Sequence, residues 1–185
     1  MRTSPPGVDF FQLDSGVHSR VDTVVMSSCC GSPDARTATC APQCPRSSTK
    51  GLAVDLLTVK AVLSESALAT LREGPYRFCG EPACAVVYFD DTGQVFTAAD
   101  LRVPVWQKQP VGGRTICYCF GENEASMTQE LAETGRCDAA LRIREHIAAG
   151  RCACEVRNPR GACCLGDVLK VVARIEAECA SVVEE

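Results

Sequence analysis

Fourteen of the 185 residues are cysteine, and they fall in groups rather than being spread along the chain. Cys29, Cys30, Cys40 and Cys44 lie among Gly, Ser, Pro and Thr; Cys79 and Cys84 close a short turn; Cys117, Cys119, Cys152, Cys154, Cys163 and Cys164 crowd the second half. The N-terminus (Met1-Arg2-Thr3-Ser4-Pro5) has no apolar segment behind it, so no export signal is read there. Without export, clustered thiols stay reduced and point to metal rather than to a disulfide framework. Aromatics make up only 5% of the chain, so the core must be built from Val, Leu, Ala and Cys. The net charge of −4 argues against a nucleic-acid-binding protein, and no apolar run is long enough to span a bilayer.

Residues 1–25 show no sustained periodicity and are expected to be a disordered extension, with the folded part starting near Met26. The stretch 29–51 cannot build a core, so its order must come from metal or from docking. Val59, Val62 and Leu63 predict a helix, and Ser64-Glu65-Ser66 a break that caps a second one carrying Leu68 and Leu71. Strands are predicted at 76–78, 86–89 and 94–97, with a hairpin loop at Asp90-Asp91-Thr92-Gly93 and an edge strand through Val103 and Val105. Residues 107–114 read as a linker. Beyond it the pattern is helical: Met127 and Leu131 up to Gly135; Leu141, Arg144 and Ile147 between Asp138 and Gly150; and a terminal helix with Leu165, Val168, Leu169, Val172, Ile175 and Cys179 on one face. The fold class expected is α+β: a small β module over 26–106, the linker 107–114, and a helical module over 115–185.

Two cysteine constellations carry chemistry. Cys117 and Cys119 form a Cys-x-Cys loop, which can serve one iron of a 2Fe-2S cluster while a second pair serves the other. Cys154 and Cys164 are read as that pair, with Cys152 and Cys163 as alternates that spacing does not separate. Cys164 stands just ahead of the terminal helix, whose N-terminus favours an anionic centre, and Gly161 would let backbone approach the cluster. Arg151, Arg157 and Arg160 either add positive charge there or form a solvated loop face. The second constellation is a tetrathiolate zinc site using Cys79 and Cys84 with two of Cys29, Cys30, Cys40 and Cys44. Cys137 and Cys179, isolated in helical pattern, are read as small core residues, and His146 as exposed rather than a ligand. No phosphate loop, catalytic triad or Cys-x-x-Cys redox turn is present, so a metal-binding or electron-transfer protein is expected rather than an enzyme.

Three segments in order, Tyr76-Arg77-Phe78-Cys79 with Cys84-Ala85-Val86-Val87-Tyr88-Phe89, Cys117-Tyr118-Cys119-Phe120-Gly121, and Asn158-Pro159-Arg160-Gly161-Ala162-Cys163-Cys164, resemble the N-terminal region of the CopZ family of copper chaperones. The resemblance implies a zinc-ribbon-like module followed by a helical 2Fe-2S module similar to bacterioferritin-associated ferredoxin. It implies Cys117, Cys119, Cys154 and Cys164 as cluster ligands, and zinc on Cys79 and Cys84 with N-terminal cysteines, for which Cys30 and Cys44 are chosen and Cys29 and Cys40 are alternates. The chain departs from the family where Cys44-Pro45-Arg46-Ser47 has serine in place of a second thiol. It also ends at the terminal helix, where such chaperones often continue into a copper-binding domain.

The function expected is that of a cytoplasmic iron–sulfur and zinc protein of copper homeostasis. One electron would support reduction of Cu(II) to Cu(I), which soft thiolates then receive. All-cysteine clusters of this kind lie at roughly −400 mV, ample for that step. Expected partners are copper or other soft-metal ions, an electron donor and a metal-transporting ATPase or another metal-homeostasis protein, with neither nucleic acid nor a membrane span. The alternatives are a metal-stabilised binding module without redox turnover, docking on a transporter or regulator, and a cysteine-rich copper or mercury buffer.

Overall fold

The computed structural model describes residues 42–183. Cys29, Cys30 and Cys40, and the extension expected over 1–25, lie outside the described residues.

The first half is built on an antiparallel sheet in the order β1 (Leu52–Val54), β2 (Tyr76–Phe78), β3 (Val86–Asp90), β4 (Val95–Thr97). Two short helices, α1 (Leu56–Val62) and α2 (Glu65–Thr70), connect β1 to β2. Their starts are set by side chains: Asp55 accepts from the Leu57 N–H at 2.7 Å, and Ser64 accepts from the Ala67 N–H at 3.4 Å. The serine-rich break therefore caps the second helix, as the sequence predicts. Val59, Val62 and Leu63 are buried against Tyr76, Phe78, Tyr88 and Phe96, but Leu68 is exposed and Ala67 takes the inward position of α2. The helix is only six residues long, and its inward face is set by the cap rather than by a continuing stripe.

Strand β3 is buried throughout, because it serves two cores at once. A register irregularity between Val86 and Tyr88 breaks the strict alternation of faces. Val87 and Tyr88 pack with the α1 side, while Val86 and Phe89 pack with Cys44, Cys79 and Cys84. The Asp90 carboxylate organises the turn to β4, accepting from the N–H groups of Thr92 and Gln94 at 3.0 and 2.6 Å. The edge strand predicted through Val103 and Val105 does not form. Leu101 makes an isolated bridge to Leu63, and the chain leaves the sheet with Val105 buried in the first core.

The second half begins with a small hairpin, β5 (Thr115–Cys117) and β6 (Glu122–Asn123), followed by α3 (Glu124–Thr134), α4 (Ala139–Ala148), α5 (Cys154–Arg157) and α6 (Leu165–Val183). Gly135 ends α3 in the left-handed conformation, as its position predicts. Two helical faces differ from those predicted. In α4 the buried residues are Ala139, Ala140 and Ile143, whereas Leu141 is 51% exposed. In α6 they are Val168, Val171, Val172 and Ile175, with Leu169 exposed. In α6 the buried Val168, Val172 and Ile175 belong to the predicted stripe, with Leu169 as the exception, whereas in α4 the inward face is shifted off Leu141 onto Ala140 and Ile143.

Residues 106–114 are held from both sides. The Lys108 ammonium donates to the Glu81 carbonyl at 2.7 Å, and the Gly112 and Arg114 N–H groups donate to the Glu124 carboxylate. The α5 region is likewise tied to the first sheet. Thr58 Oγ1 donates to the Glu155 carbonyl at 2.6 Å, and the Tyr88 hydroxyl donates to the Pro159 carbonyl. Gly161, at φ 68°, sits where a Cβ would come within 2.8 Å of Thr58 Oγ1 and 3.4 Å of Val54 Cγ2. Its bareness thus serves packing on α1 and β1. Gly161→Ala is expected to cost roughly 1–3 kcal/mol through the left-handed backbone and this contact; an unchanged urea-unfolding midpoint would contradict the packing role.

Candidate metal centre

Two groups of thiols converge, each gathered by different elements. In the first, Cys44 lies in a turn closed by the Cys44 and Thr49 backbones, Cys79 follows β2 and Cys84 precedes β3. Their sulfurs lie within 4.8 Å of one another and all three residues are buried. Cys44 Sγ is 3.8 Å from Cys84 Sγ, and the Ser47 hydroxyl is 3.5 Å from Cys79 Sγ. Burial opposes ionisation of Cys44, but hydrogen bonds from the Ser47 hydroxyl, the Ser47 N–H and the Arg46 N–H outweigh it and bring the thiol down to about 7. Burial pushes Cys79 up. Three buried sulfurs with one poised to ionise are a donor set that fits a soft or borderline cation such as zinc.

In the second group the hairpin β5–β6 presents Cys117 and Cys119, the turn ahead of α5 presents Cys152 and Cys154, and Cys164 stands immediately before α6. Cys119, Cys152 and Cys154 have sulfurs within 4.8 Å of one another. Cys154 Sγ is 3.3 Å from Cys152 Sγ and 3.8 Å from Cys119 Sγ. The Cys117 thiol adjoins that of Cys164, and this contact, opposed by burial and aided by the Phe120 and Cys119 N–H groups, brings Cys117 down to about 7. Cys164 is raised by the same contact and by burial, and Cys154 is raised by burial first and then by Cys152. The Ala153 N–H donates to Cys119 Sγ at 3.4 Å. Cys164 is buried whereas its neighbour Cys163 is exposed, so the turn before α6 aims one of the two inward. Cys152 is turned into the group beside Cys154.

Of the remaining residues singled out in the sequence, Cys137 is half-buried with its thiol 3.6 Å from Glu130, and Cys179 is half-buried on α6. His146 stacks on Phe120, with ring centroids 4.0 Å apart, and its Nδ1 accepts from Arg151. Arg157 donates to the Cys119 carbonyl at 3.3 Å, and Arg160 pairs with Asp167 at 2.6 Å. The three arginines therefore brace the cysteine loops.

Glu124, not singled out in the sequence, holds the hairpin in place. Its side chain is 2% exposed and accepts from Arg114 Nε at 2.9 Å and from Arg174 of α6 at 2.6 Å. Arg142 performs the same service on α4, donating to Glu122 and Glu130. A Glu at the first residue of a helix looks like ordinary helix-dipole composition, so nothing in the sequence separated it from its neighbours.

Residues 41–102 match the CopZ-type family described as a zinc binding domain. The chain thus carries a zinc-binding domain of the CopZ family. It is 32% identical over 123 residues, 66% of its length, to the copper chaperone CopZ of Archaeoglobus fulgidus, and spans 57% of that protein. The X-ray structure of the Archaeoglobus fulgidus CopZ N-terminal domain is similar to it at 30% identity with a TM-score of 0.57, covering 70% of this chain and 97% of that one. Among the described residues no helix is long and apolar enough to cross a membrane.

Glu124 provides a test of the scaffold. Burial opposes its ionisation, but the Arg114 guanidinium and the N–H groups of Gly112 and Arg114 hold it at about 2, against an ordinary 4.5. A carboxyl depressed on folding contributes stability that is complete above the ordinary value and lost as pH falls toward the folded one. Glu124→Gln is expected to lower stability by about 3 kcal/mol at neutral pH. The difference in denaturation midpoint from the wild type should shrink between pH 4.5 and about 2; a difference independent of pH over that window would exclude the carboxylate as the cause.

Proposed function

We propose that this is a copper-homeostasis protein that holds zinc on Cys44, Cys79 and Cys84 and a 2Fe-2S cluster on Cys117, Cys119, Cys154 and Cys164. The observation that carries the reading is the convergence of thiols from the β5–β6 hairpin, the α5 turn and the start of α6, with backbone N–H groups donated to the sulfurs. Such N–H groups, and the N-terminal end of α6, offset negative charge gathered on thiolates. A bound cluster supplies one electron at a time. This is the stoichiometry of Cu(II) to Cu(I), with the electron replaced by a separate donor. The Archaeoglobus fulgidus relative is a copper chaperone, which supports copper as the cargo. Exposed Cys163 offers a soft landing site for Cu(I), and the zinc domain acts as a rigid support for the α5 region through Tyr88 and Thr58. The protein acts in the cytoplasm, where thiols stay reduced, and delivers copper to a metal-transporting ATPase or another metal-homeostasis protein.

The position of Cys152 favours a second reading. With Cys119 and Cys154 it makes a three-sulfur group that suits Cu(I) or Hg(II) directly, as in a thiol buffer without redox turnover. Electron paramagnetic resonance of the anaerobically isolated, dithionite-reduced protein separates the two. The redox reading expects a signal abolished or altered in Cys117→Ser, Cys119→Ser, Cys154→Ser and Cys164→Ser but retained in Cys152→Ser and Cys163→Ser. It also expects one Cu(I) per reduced chain, trapped by a Cu(I)-specific chelator. Absence of the signal, together with Cu(I) binding that needs Cys152 as much as Cys154, would replace it with the buffer.

A further inference from the structure

The zinc-binding triad has an unusual fourth corner. Among the described residues Cys44, Cys79 and Cys84 supply three sulfurs, and the described side chain that closes over them is Ser47, 3.5 Å from Cys79 Sγ. Its hydroxyl also hydrogen-bonds the Cys44 thiol. A neutral hydroxyl is a weak, hard donor beside three soft thiolates, and it cannot compete for zinc as a fourth sulfur would. Sites with three protein ligands keep the remaining position for water or for an incoming ligand.

That corner also has access. A cavity of about 300 Å³ is lined by Ser47 and Cys84 together with Arg46, Glu81, Ala83 and Ala85. Ser47 and Cys84 thus face the triad on one side and the cavity on the other. Arg46 on the cavity wall is exposed, and the turn carrying Glu81 is held by the Lys108 ammonium through the Glu81 carbonyl at 2.7 Å. Two cations, Arg46 and Lys108, stand against the single Glu81 carboxylate on that wall and partly offset the negative charge that three thiolates leave on a divalent ion, which lowers the cost of an anionic incoming group.

We propose that the zinc on Cys44, Cys79 and Cys84 has an exchangeable fourth position on the Ser47 side, open to this cavity, that accepts a small anionic thiolate from solution. The inference rests on the zinc reading above. With zinc held there, the incoming thiol would lose its proton to solvent as its sulfur bonds the metal and the water or Ser47 hydroxyl at that position leaves, with no electron transferred.

The test uses Co(II) in place of zinc in the full-length, reduced protein, taking as the site's signal the thiolate-to-cobalt absorption removed by Cys79→Ser. Titration with mercaptoacetate is expected to move the visible cobalt bands of the wild type toward those of Ser47→Cys, and to leave Ser47→Cys itself unmoved. Zinc should pass to a chelator about tenfold more slowly from Ser47→Cys than from the wild type, the scale on which single groups around a metal change its affinity. Wild-type bands that already match Ser47→Cys and ignore mercaptoacetate would overturn the proposal. If the response then appeared on replacing Cys29, Cys30 and Cys40 together by Ser, the fourth ligand would be one of those thiols. Should Ser47→Cys fail to fold, the wild type and that triple variant still decide the question. A complete lack of Cys79-dependent absorption would instead remove the zinc reading itself.

Discussion

Thiolates gathered close enough to share one ion cannot all carry charge unless a cation joins them. That constraint governs the structure. In the first group three sulfurs lie within 4.8 Å, and in the second Cys119, Cys152 and Cys154 do the same beside Cys117 and Cys164. Within each group the protons are shared unequally: Cys44 and Cys117 are brought down to about 7, whereas Cys79 and Cys164 are pushed up. Like charges in a shared site separate in this way, and a metal removes the conflict by replacing the protons.

Everything around the thiols keeps them at that separation. Strand β3 is buried on both faces because Val86 and Phe89 back the first group while Val87 and Tyr88 serve the helical side. Tyr88 then reaches the Pro159 carbonyl, and Thr58 the Glu155 carbonyl, so the turn bearing the second group rests on the sheet that carries the first. On the far side, Glu124 binds Arg114 and Arg174 and so locks the Cys117–Cys119 hairpin to α6. Large aromatic side chains are few and are concentrated in the first core. The second core is made of Ile, Val, Ala and Met with the cysteines themselves, so its packing runs through the thiols.

Much of this was legible in the chain. Serine at the α2 cap, glycine at the end of α3, and the apolar run of β3 each act through local chemistry that a sequence displays directly. The sequence also placed Cys79 beside Cys84 and Cys119 beside Cys154, and the sulfurs of each pair lie within 4.8 Å of one another. What was hidden is tertiary. Gly161 accommodates Thr58, 103 residues away in sequence but adjacent in space, a packing role that spacing alone does not display. Leu141 and Leu169 looked like core residues, but Ala140 and Ile143 of α4 and Val168, Val172 and Ile175 of α6 take the inward positions. Cys152 could not be told from Cys154 by spacing, and both do enter the group, whereas Cys163 and Cys164 part company because only one side of the turn before α6 faces the interior.

The central claim is that two thiol centres, each closed by its own metal, hold this fold together. Its most direct test is quantification of zinc, iron and acid-labile sulfide per chain after anaerobic purification, coupled to thermal unfolding before and after each metal is removed. The account predicts zinc and iron with sulfide in the same chain, and a separate loss of stability on removing each. A folded protein that carries neither metal when both are supplied, and whose unfolding is unchanged by chelators, would contradict it.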